Sequence, residues 1–524
     1  MKIAMARITL INPRFEASYW GFEYALPLMR RRANLPTACL PLLAALTPEG
    51  HQVTLVDENV EDLDFDRLTD SDIVGLTGMS VQRKRMREIL TELKRRGVFT
   101  IVGGPWVTVR EEYFGDLADV IFVGEAEQTW PQFLDDFRTG TFAHRYEQLE
   151  KTDMTRVPVP RYDLLKMNRY AFGSLQISRG CPFQCEFCDI IVTFGRKPRL
   201  KNSTQVIAEI DALQAAGMQT AFIVDDNLIG NKQAVKPVLR EIALWQQRHG
   251  FPINFFTEAS LDLADDAELM QLMVDANVSA VFVGIESPNE ASLRETKKFQ
   301  NVRAGGTIAE KVRRVQGSGL EVWCGMILGF DHDDATVFDA HYKFLHEARI
   351  MQAMVGMLAA IPKTPLHARL AAEGRLGDDD DTEFGTNVIP ALMTRGELRD
   401  GYIALLERLH EPASFFGRLD DLFLDPQFQL NKTRTAYFRK HRWAWLKNGA
   451  VRMAQATGIF IQLMRMVPEP ALRREYRRRL WNLLKHRCDP ELAFIYAIKC
   501  AVHYHVHKMT EQMKTRTGQV VNSF

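Results

Sequence analysis

Short apolar runs alternate with stretches of helical spacing along the first third of the chain. Residues 6–13, 52–57, 72–77, 99–103 and 119–123 read as buried strands, with helices over 36–46 and 82–96 between them. Unbroken apolar runs mark strands covered on both faces, so the pattern predicts a parallel sheet between layers of helices. The alternation resumes after residue 166. An apolar run containing Leu175 and Ile177 is followed by a helix over 204–216 and strands over 220–224, 254–260, 280–287, 321–330 and 354–360. Six strand–helix units predict a curved parallel sheet of the α/β-barrel kind, with polar groups gathered at the strands' carboxyl ends. From residue 395 onward the pattern is mainly helical, after an exposed loop expected over 377–381.

The expected fold class is therefore α/β. It comprises a Rossmann-like domain over 1–145, a linker over 146–165, a partial (β/α)6 barrel over 166–370 and a mainly helical domain over 371–524. A length of 524 residues fits two or three domains. With 46% hydrophobic and 25% charged residues, the composition is that of a soluble globular protein. No uncharged apolar run reaches the roughly 18 residues of a membrane span, and the N-terminus runs into a strand with no signal-peptide pattern. A cytoplasmic location is expected.

A net charge of zero hides an uneven distribution. Residues 431–524 carry 19 Lys+Arg against 5 Asp+Glu, a local charge of +14. Over 472–485, apolar residues at 472, 476, 480, 483 and 484 fall at helical spacing, with arginines on the other faces. Such a stretch is either a packed helix with a solvated basic face or an interfacial helix meeting anionic lipid. No nucleic-acid motif accompanies it, so nucleic acid is not expected as a partner.

Cys181, Cys185 and Cys188 stand in the run RGCPFQCEFC at C-x3-C-x2-C spacing. Structural zinc would call for a fourth Cys or His at short spacing, and the nearest histidines are His144 and His249. Seven cysteines in this length do not form a disulfide framework. Cys39, Cys324, Cys488 and Cys500 read as ordinary thiols. Three thiolates on a four-iron cluster would leave one iron open to a substrate or cofactor, unlike the usual four-Cys carrier.

The cysteine run, with Phe187 before its last Cys, resembles the radical S-adenosylmethionine (SAM) superfamily. That resemblance implies a [4Fe-4S] cluster on Cys181, Cys185 and Cys188, SAM on its open iron, and a one-electron reductase, flavodoxin or ferredoxin as electron donor. It also implies SAM contacts at strand ends. Asp225 and Asp226 would face the amino group, where a Gly-Gly-Glu run is commoner, and Glu258, Glu286 and Ser287 would lie toward the ribose. Gly325 and Gly329, in a Gly-x-Ile-x-Gly run, would lie by the adenine.

Beside this motif the N-terminal domain resembles a cobalamin-binding domain. The strand ends Asp57-Glu58-Asn59, Gly78 with Ser80, Gly103-Gly104 and Gly124-Glu125 are its implied cobalamin contacts. No G-x-G-x-x-G follows the first strand, which disfavours NAD or FAD. The loop after Asp57 has no histidine, so a lower His ligand to cobalt is not expected. The layout as a whole, with CDIIVTFGRKPR at 188–199 and Asp225-Asp226-Asn227, is similar to the hopanoid C-2 methylases. It implies radical methylation of an unactivated carbon of a hydrophobic, hopanoid-like lipid, with contact between the basic C-terminal helices and a membrane face. A radical cyclase or a methylase of another lipid, tetrapyrrole or natural product, and a non-enzymatic cobalamin or redox sensor, are the rival readings.

Overall fold

The structure of the protein, a computed structural model, describes residues 5–303, 305–378, 383–515 and 520–522. Most of the loop expected over 377–381 lies outside these residues. Two parallel sheets organise the chain.

The first sheet holds β1 (Arg7–Asn12), β2 (Gln52–Asp57), β3 (Ile73–Thr77), β4 (Thr100–Gly103), β5 (Val120–Val123) and β6 (Arg145–Glu147), in the order β2-β1-β3-β4-β5-β6. All five residues of β3 are buried, which is why it reads as an unbroken apolar run. The chain reverses its winding between β1 and β3, the switch point beyond which such sheets bind ligands. β6 escapes the sequence pattern. It is a three-residue edge strand in which only Tyr146 turns inward, between two exposed charged residues.

β7 (Gly173–Leu175) and the two-residue strands β8 (Ser178–Arg179) and β9 (Arg199–Leu200) follow. Then come β10 (Thr220–Ile223), β11 (Asn254–Glu258), β12 (Val278–Glu286), β13 (Glu321–Leu328) and β14 (Ala353–Met357). β7 and β10–β14 form a six-stranded sheet in strict chain order, parallel throughout. It is the partial barrel the spacing predicts. β8 and β9 pair antiparallel as a clasp at the base of the cysteine loop.

Beyond residue 394, the described residues form helices over Arg395–His410, Pro412–Phe423, Lys432–Lys440, Arg442–Met466, Pro470–His486 and Pro490–Thr515. The last is buried on nearly all sides, as its apolar sequence requires. Its Lys499 reaches the amino end of β13, where Nζ lies 2.8 Å from Glu321 and 3.1 Å from Gln352. This helix therefore closes the floor of the barrel. The helix over 470–486 packs Leu472, Tyr476 and Leu483 inward against the same core. Protein thus covers most of the apolar stripe expected over 472–484, with Leu480 partly buried and Leu484 left exposed.

Candidate active site

The cysteine loop leaves β8 through Gly180, whose φ of 93° lies in the left-handed region. A Cβ there would come within 2.9 Å of the Lys197 carbonyl and 3.0 Å of the Gly195 carbonyl, so the return strand demands glycine. Cys185 is buried, and Cys181 and Cys188 are half-buried. The loop is tied down from outside. Glu186 N–H donates to the Thr296 carbonyl at 3.0 Å, and its carboxylate pairs with Lys297 at 2.8 Å and Arg369 at 3.4 Å.

All three thiols are free of disulfides, and amide donors reach two of them. Asn227 Nδ2 lies 3.8 Å from Cys181 Sγ, and Gln300 Nε2 lies 3.5 Å from Cys185 Sγ. Burial pushes the Cys181 and Cys188 thiols above their ordinary range, and the Asp189 carboxylate adds to this at Cys188. A bound metal reverses that preference, because a coordinating thiol is deprotonated outright. Among the described residues no three His, Cys, Asp or Glu side chains converge at the spacing of a single metal ion. The donor set present is three thiols on one loop with N–H groups aimed at sulfur, the supporting arrangement of iron–sulfur sites. The residues fit a cluster.

Three carboxyl groups interact in the barrel mouth beside this loop. The Glu258 carboxyl has no hydrogen-bond partner among the described residues. Burial, then the charges of Asp226 and Glu286, push it up to about 8, against the pull of Lys298. Asp226 is pushed up by burial to about 6 and accepts from Gly180 N–H at 2.7 Å. Glu286 sits at a register shift in β12 with φ of 67°, strained for a non-glycine residue. Its carboxylate is held by Lys298 at 2.7 Å, and Asn301 Nδ2 braces the strand before it by donating to the Gly284 and Ile285 carbonyls. Burial works against the Lys298 charge, yet Glu286 and Cys185 keep its pKa above the ordinary range. An unpartnered carboxyl in an acidic mouth beside the cluster loop suits a ligand carrying ammonium and sulfonium charges, as SAM does.

Other expected positions differ in kind. Both Asp225 oxygens are occupied, by the N–H groups of Ile177 and Ser178 and by the Ser178 hydroxyl at 2.7–2.8 Å. Asp225 therefore positions the strand that carries the cysteines. Ser287 is fully buried and caps Asn289 N–H. Gly325 lies within β13 opposite Gly284, and Gly329 follows it at φ of 100° with its N–H on Asp333. Phe187 packs near Phe330, with Lys298 Nζ 5.8 Å above its ring. Lys298 and Gln300 escaped the sequence reading, because they follow β12 in a segment with no motif.

Aromatic rings line the barrel below the carboxyl groups. Phe222 stacks on Phe256 at 4.8 Å, and Phe256 touches Phe172 at 5.1 Å and Trp323 at 5.3 Å. Trp20 closes the ring against Phe282 at 5.5 Å, and Lys499 Nζ lies 5.0 Å under Trp323.

At the first sheet, Asp57 accepts from Asn59 and from the Tyr170 hydroxyl, and Glu58 pairs with Arg85. Neither is left to ligate cobalt, in keeping with a loop that lacks histidine. The side of Gly104 where a Cβ would stand is filled by Thr77, and that of Gly78 by Met86; Gly103 lies against Phe122. These glycines allow strand ends to pack closely. Met79, next to the half-buried Ser80, and Phe15 are exposed apolar groups at the carboxyl ends of β3 and β1. This apolar rim at the switch point fits a flat ring system.

Glu125 departs furthest from expectation. Its carboxylate does not face the ledge beside Gly124. It binds Arg179 at 2.8 Å, Arg199 at 3.1 Å and Thr152 N–H at 2.8 Å, with Glu127 also on Arg179 at 2.6 Å. The end of β5 is thus ion-paired to the β8–β9 clasp of the cysteine loop. Its partners lie 54 and 74 residues away, beyond any local pattern.

A cysteine-loop barrel joined at its mouth to a switch-point sheet defines a radical SAM protein with a cobalamin-type domain. Family comparison agrees: residues 175–345 match the Radical SAM superfamily, 31–134 the B12 binding domain and 364–519 a Domain of unknown function (DUF4070). The chain is 36% identical over 99% of its length to an uncharacterised methyltransferase of Synechocystis, covering 94% of that protein. It is 33% identical to the hopanoid C-2 methylase of Rhodopseudomonas palustris, with 79% of each chain covered. The cobalamin-dependent SAM radical enzyme OxsB has the same fold at a TM-score of 0.62 and 15% identity, over 98% of this chain and 84% of that one. The methyltransferase TsrM aligns at 0.55 and 17% identity, over 70% and 76%. The chain belongs to the cobalamin-dependent radical SAM methyltransferases, whose cofactors are a [4Fe-4S] cluster, SAM and cobalamin. No helix among the described residues is long and apolar enough to cross a membrane.

Proposed function

We propose that this methyltransferase acts on a polycyclic hydrocarbon lipid of the hopanoid type, at an unactivated ring carbon, C-2 by similarity to the R. palustris enzyme. The observation that carries the reading is the aromatic cluster of Phe172, Phe222, Phe256, Phe282 and Trp323, with the helix over 490–515 below it. Aromatic walls reward apolar ring contact through buried area and ring packing.

Within this reading, Cys181, Cys185 and Cys188 hold the cluster, and Asn227 and Gln300 steady the sulfurs. Asp226, Glu258, Glu286 and Lys298 form the polar collar for SAM, with Gly325 and Gly329 beside the adenine. Met79, Ser80 and Phe15 offer the ledge for cobalamin. When bound, these cofactors supply the adenosyl radical that takes hydrogen and the methyl group that replaces it. The chain's own residues orient the lipid, keep water from the mouth and hold the two halves in register through Arg179 and Glu125.

Expression in a hopanoid-making host that lacks the methylase tests the reading, with methyl-labelled methionine in the medium. Labelled 2-methylhopanoids should appear. Label in a tetrapyrrole instead, or SAM consumption without label transfer, would replace the reading with one of its rivals.

A further inference from the structure

The C-terminal helices present large apolar groups that stay exposed among the described residues. Trp443 is 86% exposed, Trp481 63%, and Trp445 and Leu446 52% each. Tryptophan is usually well buried, and none of the protein's other tryptophans is among its exposed large apolar residues.

These residues gather at one place. The helices over 442–466, 470–486 and 490–515 are joined by short connections, and Gly449 lies against Pro490, 3.5 Å from where its Cβ would stand. Arg452 pairs with Glu491 at 3.3 Å across the same end. The start of the first helix, the end of the second and the start of the third therefore share one tip.

The tip is basic. No Asp or Glu occurs between Asp425 and Glu469. Arg442, Lys447 and Lys485 are exposed, with Lys485 Nζ 5.7 Å above the Trp481 ring. Of the tip's acids, Glu491 is neutralised by Arg434 and Arg452, and Asp489 caps the last helix.

We propose that this tip is a membrane-docking surface that seats in the headgroup layer of an anionic bilayer. Trp443, Trp445 and Trp481 enter the interface, where indole rings are favoured, and Arg442, Lys447 and Lys485 meet lipid phosphates. Charge complementarity favours this occupant over a second copy of the chain, whose tip carries the same sign. The surface differs from the helix stripe at 472–484 and stands whatever lipid the barrel accepts.

The test is co-sedimentation of the full-length holoenzyme with vesicles of equal parts phosphatidylglycerol and phosphatidylcholine, against phosphatidylcholine alone. Binding should require the anionic lipid and weaken with salt. The triple variant Trp443→Ala/Trp445→Ala/Trp481→Ala should reduce it about tenfold or more, and Lys447→Glu/Lys485→Glu should act in the same direction. Both variants should keep the wild-type circular dichroism, since the altered side chains are exposed. Equal vesicle binding by wild type and triple variant would overturn the proposal. So would failure of the wild type to bind vesicles, or a concentration-dependent dimer in sedimentation velocity that the same variant abolishes.

Discussion

Arg179→Met removes the cation that joins the end of β5 to the cysteine-loop clasp. The Arg179, Glu125 and Glu127 side chains are 8%, 1% and 10% exposed, so water cannot replace the missing partner. Removing one partner from a buried ion pair costs about 3–5 kcal/mol, chiefly because the remaining charge stays buried. Arg199 still reaches Glu125 at 3.1 Å, whereas Glu127 loses its cation and keeps the Thr152 hydroxyl at 2.9 Å. The loss should therefore fall at the lower end, about 3 kcal/mol. Urea denaturation followed by tryptophan fluorescence and far-UV circular dichroism measures it.

Glu127 supplies a pH signature. Burial pushes its pKa up, but the Arg179 charge and hydrogen bond, with the Thr152 hydroxyl, hold it below the usual carboxylate range. A carboxylate depressed on folding stabilises above its unfolded pKa, and that stability fades as pH falls through the folded value. The cost of Arg179→Met should thus shrink below pH ~4.5 as Glu127 protonates. The double variant Arg179→Met/Glu127→Gln should be more stable than the sum of the single losses by more than about 1 kcal/mol. A single-variant loss under about 1 kcal/mol, or strict additivity, would mean that the pairs are solvent-screened and do not fasten the halves.

Three other outcomes are expected. His341, His410, His503 and His505 are held neutral by burial, with pKa values near 4, 3, 3 and 4. Their stabilising effect is complete above the unfolded value of about 6.5 and fades below it by about 1.4 kcal/mol per histidine per pH unit, so urea midpoints should fall steeply between pH 6.5 and 5; a flat profile there would refute neutral burial. Gln300→Leu removes the N–H on Cys185 Sγ and should lower the cluster's reduction potential in an EPR-monitored titration, whereas an unchanged potential would deny that contact. Cys185→Ala should abolish both the cluster absorbance and reductant-dependent 5′-deoxyadenosine formation, and surviving turnover would remove the cluster from this loop.

What the sequence conveys follows the range of the forces involved. A buried strand must be apolar over consecutive residues, so β1, β3 and β10–β14 can be read directly, as can three cysteines that one loop must hold. Pairings across long separations leave no such trace. Glu125 stands at a glycine-rich strand end and looks like part of a ligand shelf, until Arg179 and Arg199 arrive from another domain. Helical spacing likewise marks an apolar stripe at 472–484 without saying whether protein or lipid covers it; the structure covers Leu472, Tyr476 and Leu483 and leaves Trp443 and Trp481 bare.

The same long-range pairing constrains how the parts work together. Lys499 lies 178 residues from its partner Glu321, yet it supports the lower face of Trp323 and so the aromatic cluster inside the barrel. The helix that bears Lys499 also packs against the helices whose ends carry the exposed tryptophans. The base of the aromatic cluster and the exposed tip are therefore joined by one helix, and the C-terminal region is structurally part of the barrel. Truncation before Pro490 would uncover the aromatic floor and leave Glu321 buried without its cation. The predicted result is loss of folded barrel along with loss of lipid binding; a truncated chain that kept its barrel intact would contradict this coupling.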